Sequence, residues 1–116
     1  MRHSCWSVAG VVMVSVVLLA AAARGAGAPP PEIPVILEKN RFQPETIRVK
    51  SGVPFVLVVT NKDKGPEEFE VPMPRIEKVI PGGKTMKIRF PALKPGTYPF
   101  VGEYHSATAK GQIVAE

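Results

Sequence analysis

From residue 33 onward, hydrophobic residues recur at every second position in short runs, and Gly, Pro, Asn and Asp bound each run. That period sends side chains alternately to the two faces of a strand, whereas an amphipathic helix repeats its apolar positions three and four apart. Ile33, Val35 and Leu37 open the pattern, and Ile47 and Val49 share one face of the next segment. Ser51-Gly52-Val53-Pro54 then turns the chain into Phe55-Val56-Leu57-Val58-Val59-Thr60, a nearly continuous apolar run that predicts a central strand. A polar loop over 61–66 leads into a short strand at 67–71, which Pro72-Met73-Pro74 ends. The segments 76–80 and 84–90 flank Pro81-Gly82-Gly83 and read as a hairpin. With 97–101 and 111–115 the pattern gives seven or eight short strands and no amphipathic helix. The expected fold is all-β, an antiparallel Greek-key β-sandwich.

The first 23 residues follow a different pattern. Arg2 and His3 precede an apolar run over 8–23, broken by Gly10 and Ser15 and ending in Ala21-Ala22-Ala23, which reads as a secretory signal peptide over 1–23. Ala26-Gly27-Ala28 repeats the small-residue cleavage pattern and would extend the peptide to 28. An uncleaved membrane anchor is the rival reading, since sixteen mostly apolar residues approach the roughly 20 that span a bilayer. Cys5 lies before the apolar run rather than after it, which argues against a lipid-modified cysteine. Residues 24–34 then form a stiff Pro-rich leader, and one domain occupies 35–116. The expected location is the periplasm or another exported compartment.

Composition narrows the chemistry. Lys and Arg total 15 against 10 Asp and Glu, but the basic residues alternate with carboxylates, so they read as a solvated surface and no nucleic-acid partner is expected. Cys5 and His3 both fall in the leader peptide, which leaves His105 as the remaining imidazole and no thiol. Disulfides, thiolate zinc sites and cysteine nucleophiles are excluded from the domain, and no Ser/His/Asp spacing suggests a hydrolase.

Four pieces stand in a telling order: Phe42-Gln43-Pro44-Glu45-Thr46-Ile47-Arg48-Val49 with Gly52, then Glu67-Glu68-Phe69-Glu70-Val71, then Pro81-Gly82-Gly83, then Gly96-Thr97-Tyr98-Pro99-Phe100-Val101-Gly102-Glu103-Tyr104-His105 with Ala109-Lys110-Gly111. Together they resemble a cupredoxin over essentially the whole domain. By that resemblance Glu67, with Glu68 beside it, stands where a blue-copper protein carries its first His, Gly102 where it carries Cys, and Ala109 where it carries Met; His105 alone keeps a ligand type. A type 1 copper site needs two imidazoles and a thiolate, so blue-copper electron transfer is excluded. The set Glu67, Glu68, Glu103 and His105 resembles instead the EfeO-type cupredoxin domain and the small FtrB-like periplasmic proteins that accompany iron permeases. The resemblance implies a metal site of these four residues, iron as its ion, and a membrane iron permease or another periplasmic iron-uptake component as partner.

Each residue also has a plainer reading. Glu67, Phe69 and Val71 share one strand face and Glu68 and Glu70 the other, so Glu67 lies on the inward line and Glu68 joins it only if the strand begins with a twist. Three carboxylates within four residues repel one another unless a cation compensates, or they form an acidic edge balanced by Lys62 and Lys64. Glu103 either completes the site or faces water, and Gln43 is a minor oxygen-donor candidate. Met86 alternates with Ile88 and is expected in the core, while Met73 between two prolines is exposed. Copper(II) handling by the same cleft and a metal-free interaction module stay open as alternatives. Binding or delivery is expected ahead of catalysis, because ferroxidase turnover needs an electron acceptor, and assistance of Fe(II) oxidation stays open as an alternative.

Overall fold

The computed structural model describes residues 27–116. The signal peptide read over 1–23 lies outside the described residues, as does its possible extension to 28 apart from Gly27 and Ala28. Nine strands follow in order: β1 Glu32–Glu38, β2 Arg41–Gln43, β3 Thr46–Val49, β4 Phe55–Asn61, β5 Glu67–Val71, β6 Ile76–Ile80, β7 Thr85–Phe90, β8 Gly96–Gly102 and β9 Lys110–Ala115, with a single 3-10 turn at Glu103–His105 before β9. They form two sheets, one ordered β2-β1-β4-β7 and the other β3-β9-β8-β5-β6.

The β-sandwich read from the alternation is present, with three differences in detail. The ninth strand is β2, which pairs antiparallel with β1 across Lys39-Asn40, both at positive φ (55° and 57°). That is the backbone of a two-residue hairpin turn, and Asn40 is its sequence signal. Two pairings are parallel, β1 with β4 and β3 with β9. A period of two fixes which face a residue takes, but it carries no information about the direction of the neighbouring strand. The third difference is a correction: β6 and β7 are no hairpin. β6 pairs with β5, Val71 opposite Ile76, while β7 pairs with β4, so Pro81-Gly82-Gly83 carries the chain from one sheet to the other. The true hairpin turns at Pro72-Met73-Pro74-Arg75, where proline was read only as a strand stop.

Between the sheets lies one core of inward residues, including Leu37, Phe42, Leu57, Phe69, Ile88 and Phe100. Phe42 packs edge-on against both Phe69 (5.8 Å between centroids) and Phe100 (5.2 Å), and Phe55 stacks on Phe90 at 4.7 Å. Such ring pairs add about 0.5–1.5 kcal/mol each beyond their burial. Met86 packs against this core, as its alternation with Ile88 indicates. The Phe69 ring fixes β5 against both sheets, and so fixes what stands two residues before it.

Candidate functional site

Phe69 points inward, and period two therefore turns Glu67 inward as well, at the end of the sandwich. Its side chain is 2% exposed. A carboxylate in that position costs several kcal/mol unless donors replace its water. Three do. Oε1 accepts from the amides of Glu68 (3.1 Å) and Tyr104 (2.8 Å), and Oε2 lies 2.6 Å from Nδ1 of His105. An ionised carboxylate only accepts, so toward one the imidazole donates from Nδ1.

The loop after β8 brings His105 there. Gly102 ends the strand, Glu103–His105 make one tight turn, and the loop is closed by Ala109 N–H donating to His105 O (2.8 Å) and Gly102 N–H to Ala109 O (2.7 Å). His105 spans the boundary, with 41% of its side chain exposed. Beside the pair is a pocket of about 100 Å³ lined by Leu37, Asn40, Asn61, Asp63, Gly65, Pro66, Glu67 and His105.

The far wall of that pocket is a polar network that sequence reasoning took for a plain loop. Asn61 is fully buried; its Nδ2 donates to the carbonyls of Gly65 (2.9 Å) and Ile80 (3.1 Å), and its Oδ1 accepts from Asp63 N–H (3.0 Å). The Asp63 carboxylate in turn accepts from the amides of Lys39 (2.8 Å) and Asn40 (3.0 Å). The hairpin turn of β1–β2 is thereby tied to the loop before β5. The available signal was the run Asn61-Lys62-Asp63-Lys64-Gly65, typical of side chains that bond their own backbone.

The other two residues of the expected set go elsewhere. β5 alternates without a twist at its start, so Glu68 shares the outer face with Glu70, and Glu103 meets Glu70 there too. Across β6, Glu77 stands opposite Glu70. The Glu70 carboxyl is pushed up from 4.5 to about 7, first by its side-chain hydrogen bond with Glu103, then by desolvation, then by the like charges of Glu103, Glu77 and Glu68. Among the described residues, no group of three or more His, Cys, Asp or Glu side chains is arranged to hold a metal ion. Glu67 and His105 meet; Glu68 and Glu103 do not join them. Gln43 does not line the pocket, and Met73 is 70% exposed in the β5–β6 turn.

The model of the family described as the cupredoxin-like domain matches residues 10–115. An uncharacterized protein of Rickettsia prowazekii (strain Madrid E) is 30% identical over 83 residues, which is 72% of this chain and 66% of that protein, just under two thirds of its length. Among solved structures, a copper binding protein in its apo form is similar at 23% identity and a TM-score of 0.64, over 73% of this chain and 86% of the other. Auracyanin A, a blue copper protein from Chloroflexus aurantiacus, is similar at 15% identity and a TM-score of 0.65, over 76% of this chain and all of the other. At these identities the two structures bear on the fold.

Proposed function

This chain belongs to the cupredoxin-like domain family, and from that premise we propose that it is an exported metal-binding protein that takes iron as cargo between the Glu67 carboxylate and the His105 imidazole and passes it to a membrane iron-uptake system. The observation that carries the proposal is the convergence of a buried carboxylate and a half-exposed imidazole at 2.6 Å, beside a small pocket at one end of the sandwich.

A blue-copper centre does not fit these residues. It requires two imidazoles and a thiolate, and the described residues hold one His and no Cys, with Gly102 and a buried Ala109 methyl at the positions that match the family's sulfur ligands. One nitrogen with hard oxygen is a donor set for Fe(II), Fe(III), Mn(II) or Cu(II). The runs Glu67-Glu68-Phe69-Glu70 and Gly102-Glu103-Tyr104-His105 support the EfeO-type assignment, and with it iron and a permease partner.

The chemistry available to this chain is exchange. An ion between Glu67 and His105 displaces the proton they share, so acid opposes binding. Because Glu68 and Glu103 face Glu70 instead, the ion's remaining positions are left to water or to a receiving protein, which suits hand-over better than storage. Oxidation of Fe(II) has no support in this donor set, which offers no electron acceptor.

A second reading has its own observation: the similar solved structures are of copper proteins, and Cu(II) outcompetes the other divalent first-row ions at mixed nitrogen and oxygen sites. Titration of the purified protein with anaerobic Fe(II), Fe(III)-citrate, Mn(II) and Cu(II) separates the two, run beside His105→Ala and Glu67→Gln. Stoichiometric iron binding that both variants lose is the expected result. Selective Cu(II) binding moves the assignment to copper handling, and no saturable binding by any ion leaves a sandwich that serves as an interaction module.

A further inference from the structure

Glu67 lies where it does because nothing occupies the space beside Gly102. A Cβ placed on Gly102 would stand 2.7 Å from Cδ and 2.9 Å from Oε1 of Glu67, and 2.8 Å from Cβ of Ala109. These separations are inside van der Waals contact, so a side chain at 102 and the Glu67 carboxylate compete for one volume. The backbone does not ask for glycine here. Gly102 has φ −90° and ψ 106°, an extended conformation open to any L-residue. The glycine is therefore explained by space, and the space is taken by the Glu67 carboxylate that meets His105 Nδ1 together with the Ala109 methyl.

We propose that Gly102 is the positioning residue that sets the donor type of this site: by having no side chain it admits the Glu67 carboxylate to the β8 end and aims Oε2 at His105, committing the site to oxygen and nitrogen donors. Ala109, fully buried, closes the other side of the same space. A carboxylate at 67 and the absence of a side chain at 102 are then one coupled feature. A side chain at 102 displaces the carboxylate, breaks its bonds to Tyr104 N–H and His105, and leaves the His105 ring without a partner on a loop still closed by its backbone bonds. The metal consequence rests on the proposed function above; the steric coupling rests on the geometry alone.

The test uses the full chain in an Ala109→Gly background, which removes the second contact so that a methyl at 102 meets Glu67 and little else. In that background Gly102→Ala is compared with and without Glu67→Ala. Three readouts apply: the His105 Nδ1 proton resonance, which a short bond to a carboxylate moves far downfield; the midpoint of denaturant unfolding; and the dissociation constant for anaerobic Fe(II) and for Cu(II). Gly102→Ala is expected to abolish the downfield resonance and lower the midpoint, and to weaken binding of whichever ion the parent binds by about tenfold or more. With Glu67 already Ala, the same substitution is expected to change neither midpoint nor affinity. A resonance that persists in Gly102→Ala overturns the proposal, as does a midpoint loss of the same size with and without Glu67. If Gly102→Ala folds only when Glu67 is Ala, the coupling is upheld, and if neither variant folds it is overturned. If the parent binds no ion, the functional proposal fails while the resonance and the midpoints still decide the role of Gly102.

Discussion

Glu67 and Glu70 stand three residues apart on one five-residue strand, and their surroundings are opposite. Glu67 faces inward, is 1% exposed, and has three donors gathered on its two oxygens. Glu70 faces outward among Glu68, Glu77 and Glu103, and its own proton is the means by which repulsion is relieved, hence a pKa of about 7. A buried carboxylate that keeps its partners is a structural clamp and a poised donor. A surface carboxylate among like charges is a cost the fold tolerates because water screens it. Acidic density along the sequence is thus a poor guide to a site; what distinguishes Glu67 is the set of donors aimed at it.

The comparison breaks most readily at Glu67. Replacing it with Ala leaves the Tyr104 and Glu68 amides without their acceptor and His105 without its partner, and is expected to cost about 3 kcal/mol or more, read as a lower denaturation midpoint at neutral pH. An unchanged midpoint would mean that the carboxylate is not the clamp. His105→Ala is expected to cost less, about 1–2 kcal/mol, because the carboxylate keeps two amides and gains water from a surface that was already half open; equal losses for the two variants would contradict the ranking.

On the outer face the sign reverses. A carboxyl whose pKa is raised in the folded state holds its proton more tightly there than in the unfolded chain, so its contribution is fully present below about pH 4.5 and is lost as pH rises through about 7. Glu70→Gln is expected to raise the melting temperature slightly at pH 8, leave it nearly unchanged at pH 4, and flatten the profile between. A lower melting temperature at pH 8 would show that the Glu70 charge is paired. The smallest effect is expected from Glu103→Gln, which should bring the Glu70 titration midpoint down toward 4.5 in a carboxyl-resolved NMR titration while hardly altering stability. A midpoint still near 7 would assign the shift to Glu68, Glu77 and burial.

Much of this was readable along the chain, and the boundary is physical. Alternation placed Glu67 with Phe69 and Val71 on the inward face and Glu68 with Glu70 on the other, and the structure keeps that division. Alternation says nothing about partners, so the direction of β1 against β4 and the separation of β6 from β7 into different sheets were not available from it. The Asn61 and Asp63 network was hidden for a related reason: its partners are backbone N–H and C=O groups of segments up to 24 residues away, which no local pattern names. The meeting of Glu67 with His105 was suggested only through the family resemblance, since 38 residues separate them. Gly102 was legible as a missing cysteine but not as a needed space, because the volume it leaves is defined by a side chain on another strand.

The central claim is that the ion binds at the Glu67 end and not on the acidic face, and Fe(II) itself reports its position. Anaerobic Fe(II) added to the isotope-labelled protein broadens NMR signals of nuclei near it. The account predicts broadening at one equivalent centred on the His105 ring and the amide of Tyr104, with Glu77 and Val79 on β6 spared. Broadening centred on Glu70, Glu77 and Val79, or none at saturating Fe(II), would contradict it.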